Sequence, residues 1–168
     1  MELQPYLSLV STSAILAAGI FAGVQLRQLY KQRARESAMQ LFRSFQTPEV
    51  TDAINIVFDL PEGLSKKEIE ERLGRDNIRS VMMLFGTIES LGILIFHREI
   101  KIEIVDDFFS GIIILAWKKF ERYIREMREI GKRETYYEWV QWLAEQFVKR
   151  ESHMPAVPSY IAHKDWKQ

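Results

Sequence analysis

Glu89 has the setting that most invites chemistry. It interrupts the apolar run VMMLFGTIESLGILIF, and on a helix it shares a face with Ile78, Met82, Phe85 and Phe96. A carboxylate on such a face must be neutralised or paired, because an isolated buried charge is costly. Two roles fit. It is a polar anchor bound to Trp117, Arg122 or Arg128 of the following helices, or it is an acid for catalysis or ion binding. Gly92, one turn along, leaves room for another backbone or side chain. Other chemistry is sparse, since no GxGxxG, Walker-type loop, GxSxG or HExxH occurs. His97, His153 and His163 have no ligand partner at i+3 or i+4. Asp106 and Asp107 are adjacent, so they diverge on a helix and suit its N-terminus. With no cysteine there is no thiolate nucleophile, disulfide or cysteine metal ligand. These patterns supply no catalytic residue, metal or cofactor, and they lean away from an enzyme.

The elements that must position Glu89 begin with an apolar segment of a different kind. Residues 1–26 hold one acid, Glu2, and neither Lys nor Arg, and Leu7 to Leu26 is an uncharged run of twenty residues. At about 1.5 Å per residue, twenty helical residues cross the ~30 Å hydrocarbon layer. A cleavable signal peptide starts basic and ends on a cleavage site, whereas here the positive charge follows the run, at Arg27, Lys31, Arg33 and Arg35. The positive-inside rule then predicts an inner-membrane, single-pass protein with its N-terminus outside and the rest cytoplasmic. The basic cluster sets topology and can also meet lipid headgroups. Ser8, Ser11, Thr12, Ala18, Gly19, Ala22 and Gly23 lie on one helix face, interrupted by Ile15, and include a GxxxG. Small residues let helices approach closely in lipid, so the expected partners are the bilayer and either another membrane protein or a second copy.

Overall charge excludes one class. Twenty-three basic against 23 acidic side chains is not the balance of a nucleic-acid-binding module. The 12% aromatic content is enough to bury a core. Beyond Leu26 the helix can run on unbroken. Thr47-Pro48 marks a new start, followed by Val50, Ala53, Ile54, Val57 and Phe58 as an apolar stripe. Ser65-Lys66-Lys67-Glu68 is a capping-box pattern opening a short helix that Gly74 stops. A core helix follows, from about Asp76 to Phe96. The next helix is expected from about Val105 to Ile130, apolar at Phe109, Ile112, Ile113, Ala116, Phe120, Tyr123, Ile124 and Met127, with Gly131 as its stop. The last spans about Glu134 to Lys149, with Tyr136, Trp139, Val140, Leu143 and Phe147 inward. Strand signal is weak: IKIEIV at 100–105 alternates, but nothing pairs with it.

The arrangement resembles a bacterial family of unassigned function, domain of unknown function 4760. The residues that carry the likeness are Glu89 with Leu91-Gly92-Ile93, Trp117, Arg128, Tyr136-Tyr137-Glu138-Trp139 and Leu143-Ala144, within a stretch from about residue 7 to 148. Where the pattern calls for Phe-Glu before the final Leu-Ala, this chain has Val140-Gln141-Trp142. The resemblance implies a spanning helix, a basic juxtamembrane helix and a helical domain, and it brings no reaction with it.

The fold expected is therefore all-α, an N-terminal transmembrane helix followed by a cytoplasmic antiparallel helical bundle. Its parts are an anchor at 1–26, a basic juxtamembrane helix at 27–46, a helical domain at 47–150 and an extended Pro-containing tail at 151–168. The leading functional expectation is a non-catalytic accessory or scaffold subunit. Its rivals are a membrane-tethered enzyme or signalling effector centred on Glu89, and a self-assembling homo-oligomer.

Overall fold

Helix ends explain most of the architecture. A computed structural model describes residues 4–153 and 157–167, and all the regular structure there is helical. Contacts divide the chain into two units, Met1–Gln40 and Leu41–Gln168. The first helix, α1 (Gln4–Phe45), runs without a break, as no Gly-Pro or turn cluster interrupts it. Thr47 ends the turn that follows and caps α2 (Pro48–Asp59), its hydroxyl accepting from Val50 N–H at 3.4 Å. In α3 (Lys66–Phe96) the capping box is complete: Ser65 and Glu68 satisfy each other's backbone N–H. The Ser65 hydrogen bonds, chiefly from its side chain, hold the Glu68 carboxyl below its ordinary value. Gly74 leaves helical geometry, at φ 68°, and kinks α3 at the point where the sequence predicts a stop.

Within the second unit, α2, α3, α4 (Ile102–Gly131) and α5 (Glu138–His153) share one apolar core. Among the described residues, α3 is the helix long and apolar enough to cross a membrane. Its Val81, Leu84, Phe85, Ile88 and Leu91 are nevertheless fully buried by protein. Phe85 meets the Phe120 ring edge-on at 5.4 Å, and Phe45 stacks on Phe109 at 4.1 Å.

Several boundaries depart from the expectation. The alternating run at 100–105 is absorbed into α4, which starts at Ile102, because no strand exists to pair with it. Gly131 stays helical, and Lys132 takes the left-handed C-cap instead, at φ 48°. The start of α5 moves to Glu138, since residues 134–137 form turns and Tyr137 has φ 52°. The end is not wholly extended either: α5 reaches His153, and one turn, α6 (Ser159–Ala162), follows Pro158. Phe58 is exposed, because eight residues after Val50 it has rotated off the core face, and Leu60 fills the core instead.

Lys119 is the largest surprise. No sequence pattern singles it out, yet it is buried in α4. Its ammonium donates to the carbonyls of Phe58, at 2.9 Å, and Leu60, both at the end of α2. Those carbonyls have no helical N–H to accept from, and a cation suits that end of the dipole. Lys119→Ala should therefore lower the unfolding free energy of the second unit by about 2–4 kcal/mol, from two lost charge-assisted bonds and a cavity. Urea denaturation of Leu41–Gln168 checks this, and an unchanged midpoint would show that the cap contributes nothing.

Candidate functional site

The first turn of α5 is where three helices converge on unusual residues. Like any helix start, it presents N–H groups with no intrahelical partner. Glu89, on α3, supplies the acceptor: its Oε2 accepts from Val140 N–H at 2.9 Å, and the Trp139 N–H also reaches the carboxylate. The anchor expected from a Trp or Arg side chain is thus made to backbone instead. Positive partial charge at a helix N-terminus suits an anion, which is why a carboxylate is retained here.

Gly92 makes this approach possible. A Cβ at that position would lie 2.9 Å from both Trp139 Cβ and the Trp139 carbonyl oxygen, so only glycine lets α5 start this close to α3. Tyr137, just before α5, packs its ring edge-on against Phe85 at 5.4 Å. Burial, the largest influence, pushes its phenol well above the ordinary range.

From α4, Arg128 holds the same segment. Its Nε donates to the Tyr136 carbonyl at 2.9 Å, and Nη1 donates to Gln141 Oε1 at 2.7 Å. Its guanidinium lies 5.8 Å from the Trp117 ring centroid, while Nη2 is buried with no protein partner. Glu89, Trp117 and Arg128 therefore all serve the start of α5, directly or through one neighbour. Arg122 does not. It is exposed, bonding Glu126 at 3.0 Å and the Gly63 carbonyl at 3.2 Å, because it lies nearly two turns before Arg128 and faces the start of α3. There Glu126 accepts from Lys66 N–H at 2.9 Å, a second cross-helix cap that the sequence does not reveal.

The remaining predicted positions belong to α1. Ala18, Gly19, Ala22 and Gly23 are exposed, and nothing within 4 Å faces either glycine. Arg27 and Arg33 are exposed too. The side chains of Ser8, Ser11, Thr12, Lys31 and Arg35 lie outside the described residues.

Chemically, the α5 start offers the Glu89 carboxylate and the Arg128 guanidinium, both engaged with backbone, and the exposed Glu138 carboxylate beside them. Among the described residues no three His, Asp or Glu side chains converge as a metal site would require. Beside Trp117, an open apolar groove of about 320 Å³ runs between Ile114, Lys118, Ala144, Glu145, Val148 and Lys149. Aromatic rings continue on the other side of α5, where Phe96 lies 4.9 Å from Trp139 and 6.1 Å from Trp142.

Burial raises the Glu89 carboxyl, the Val140 and Trp139 N–H groups pull it back, Glu138 raises it and Arg128 lowers it; the net shift is upward from 4.5. The folded state thus holds this proton more tightly than the unfolded chain. The proton-linked part of the stability is full below pH 4.5 and is lost as pH rises through the folded value, while the bond from Val140 N–H remains. Glu89→Gln should flatten that dependence, read as the pH profile of the melting temperature, and an unaltered profile would assign the slope elsewhere. Glu89→Ala should cost about 1–3 kcal/mol at neutral pH by orphaning N–H groups.

Two glycines of α3 should respond with opposite sign. Gly86→Ala meets nothing within 4 Å and should gain about 0.5–1 kcal/mol of helix propensity, whereas Gly92→Ala should destabilise despite the same gain. Equal responses in thermal unfolding would rule out the close approach.

A family model described as Domain of unknown function (DUF4760) matches residues 12–147, which takes in α2 to α4, most of α1 and the α5 start assembled by Glu89, Gly92 and Arg128. No curated protein and no solved structure matches the chain. With that match covering well over half its length, the chain belongs to the DUF4760 family.

Proposed function

We propose that this is a single-pass inner-membrane protein acting as a non-catalytic accessory or scaffold subunit. Its α1 associates with lipid and with a partner helix through the small-residue face, and its α2–α5 unit, an antiparallel bundle, lies in the cytoplasm. The observation that carries the non-catalytic reading is the use made of the buried and half-buried polar groups. Glu89, Lys119, Glu126 and most of Arg128 are spent on helix ends and loops of the same chain. A catalytic group must be available to substrate, and the principal hydrogen bonds of these groups go to backbone instead.

The membrane reading is supported by the uncharged Leu7–Leu26 run, helical throughout, and by the basic cluster that follows it. Ile20, Phe21, Val24 and Leu26 are about half exposed or more, as lipid-facing side chains would be. The antiparallel reading is supported by two pairings. Arg150, late in α5, bonds Asp106, early in α4, at 2.7 Å, while Arg128, late in α4, bonds Gln141, early in α5. The apolar groove beside Trp117 gives the cytoplasmic helices a surface for a partner.

The rival, an effector site around Glu89, draws on one observation: Arg128 Nη2 is buried and unpaired among the described residues. Gentle detergent extraction of the tagged chain, with identification of what co-purifies, separates the two: a stoichiometric partner complex supports a subunit role. In parallel, the intact chain should stay in membranes through alkaline carbonate washing, and a C-terminal reporter should read as cytoplasmic. Release by carbonate would end the anchor reading, and a periplasmic reporter signal would reverse the topology.

A further inference from the structure

The surface of α1 just beyond its uncharged run has a shape that names its own occupant. Leu26, Leu29, Tyr30 and Arg33 enclose a shallow groove of about 100 Å³, and all four side chains are exposed. Positions i, i+3, i+4 and i+7 are the four that form the hole in knobs-into-holes packing. The hole sits on a longer seam. Gly19, Ala22, Leu26 and Leu29 are small or apolar and spaced three and four residues alternately, as in a left-handed helix pair, and Arg33 and Glu36 carry the same spacing on.

Within that alternation Leu29 occupies the position whose knob, in a parallel in-register pair, enters a hole made of the residues equivalent to 26, 29, 30 and 33. The geometry points to a second copy of this chain, parallel and in register, seating its Leu29 in the hole formed by Leu26, Leu29, Tyr30 and Arg33 of the first. This rests on the single-pass membrane reading, because a shared topology is what forces two copies to lie parallel. Each level of the seam then matches its counterpart: glycine and alanine within the apolar run, leucine at its edge, and polar residues beyond. Arg33 is followed one turn on by Glu36, held by Gln32 at 3.0 Å, which brings opposite charge to the same seam.

Lipid is the poorer occupant. The helix continues unbroken through this region, so Leu29 and Tyr30 are carried along its axis past Arg27 and away from the hydrocarbon. At about 100° per residue, positions 27, 28, 31 and 35 fall on the opposite side, which leaves Arg27, Lys31 and Arg35 outside the pair and Arg33 as the basic residue on the seam.

The absence of native cysteine makes the test clean. Single variants Leu26→Cys, Leu29→Cys, Arg33→Cys, Gln28→Cys and Lys31→Cys are made in the full chain, co-expressed with two tag lengths, and oxidised in native membranes. Disulfide-linked dimers containing both tags should form several-fold more at 26, 29 and 33 than at 28 and 31. Leu26 and Arg33 still report the pair if the change at Leu29 weakens it. Equal cross-linking at all positions, a preference for 28 and 31, or adducts only with a protein of another mass would overturn the pairing. The same membranes are fractionated. Chain in the membrane without the 26/29/33 preference sinks the pairing alone, whereas chain absent from the membrane sinks the anchor reading and the pairing with it.

Discussion

The first turn of α5 carries N–H groups that its own helix cannot satisfy, and the carboxylate that meets them comes from the middle of α3. Most of the second unit follows from that bond. For Glu89 to reach Val140, α5 must begin almost in contact with α3, and Gly92 is the residue that permits it. For α5 to begin at Glu138, Tyr137 must adopt a left-handed backbone and the preceding loop must be held, which Arg128 does from α4. Three helices are thereby fixed at one point, in register as well as in proximity.

The same device recurs with charges of the appropriate sign. An acid on α4, Glu126, meets the first N–H of α3, and a buried lysine on α4, Lys119, meets the last carbonyls of α2. Anions sit at helix starts and cations at helix ends, as the dipole favours. Each of these side chains lies inside one helix and acts on the end of another. Apolar packing alone tolerates sliding by a turn; a cross-helix cap does not, since a one-turn slip would leave both partners unpaired. This accounts for charged side chains in and beside a core otherwise built from aliphatic and aromatic residues.

Much of this was legible in the sequence where the signal is local. Thr47-Pro48, the Ser65–Glu68 box and the break at Gly74 are short-range patterns, and each appears at its expected residue. Glu89 and Gly92 stood out because an acid and a glycine are anomalous on an apolar stripe. Their partner was not legible, because a backbone N–H has no residue identity to read. Lys119 and Glu126 were hidden for a related reason: nothing local on α4 distinguishes them from its other charges, and only the arrival of the ends of α2 and α3 gives them a role. Arg122 was misplaced by the same blindness to which neighbouring end faces which turn.

Two apolar stretches of similar length meet opposite fates. The apolar part of α3 is covered by α2, α4 and α5, and its one acid finds its donors in protein. The apolar part of α1 belongs to a unit with no other helix, so nothing in that unit covers Ile20, Phe21 and Val24. Burial of such side chains is worth about 1.5–3 kcal/mol each, a cost that water exposure would leave standing. A bilayer would remove it for the outward faces, whereas lipid would gain less from the glycine and alanine face than a second helix would. One chain thus holds a unit closed on itself and a helix whose apolar side chains its own unit leaves exposed.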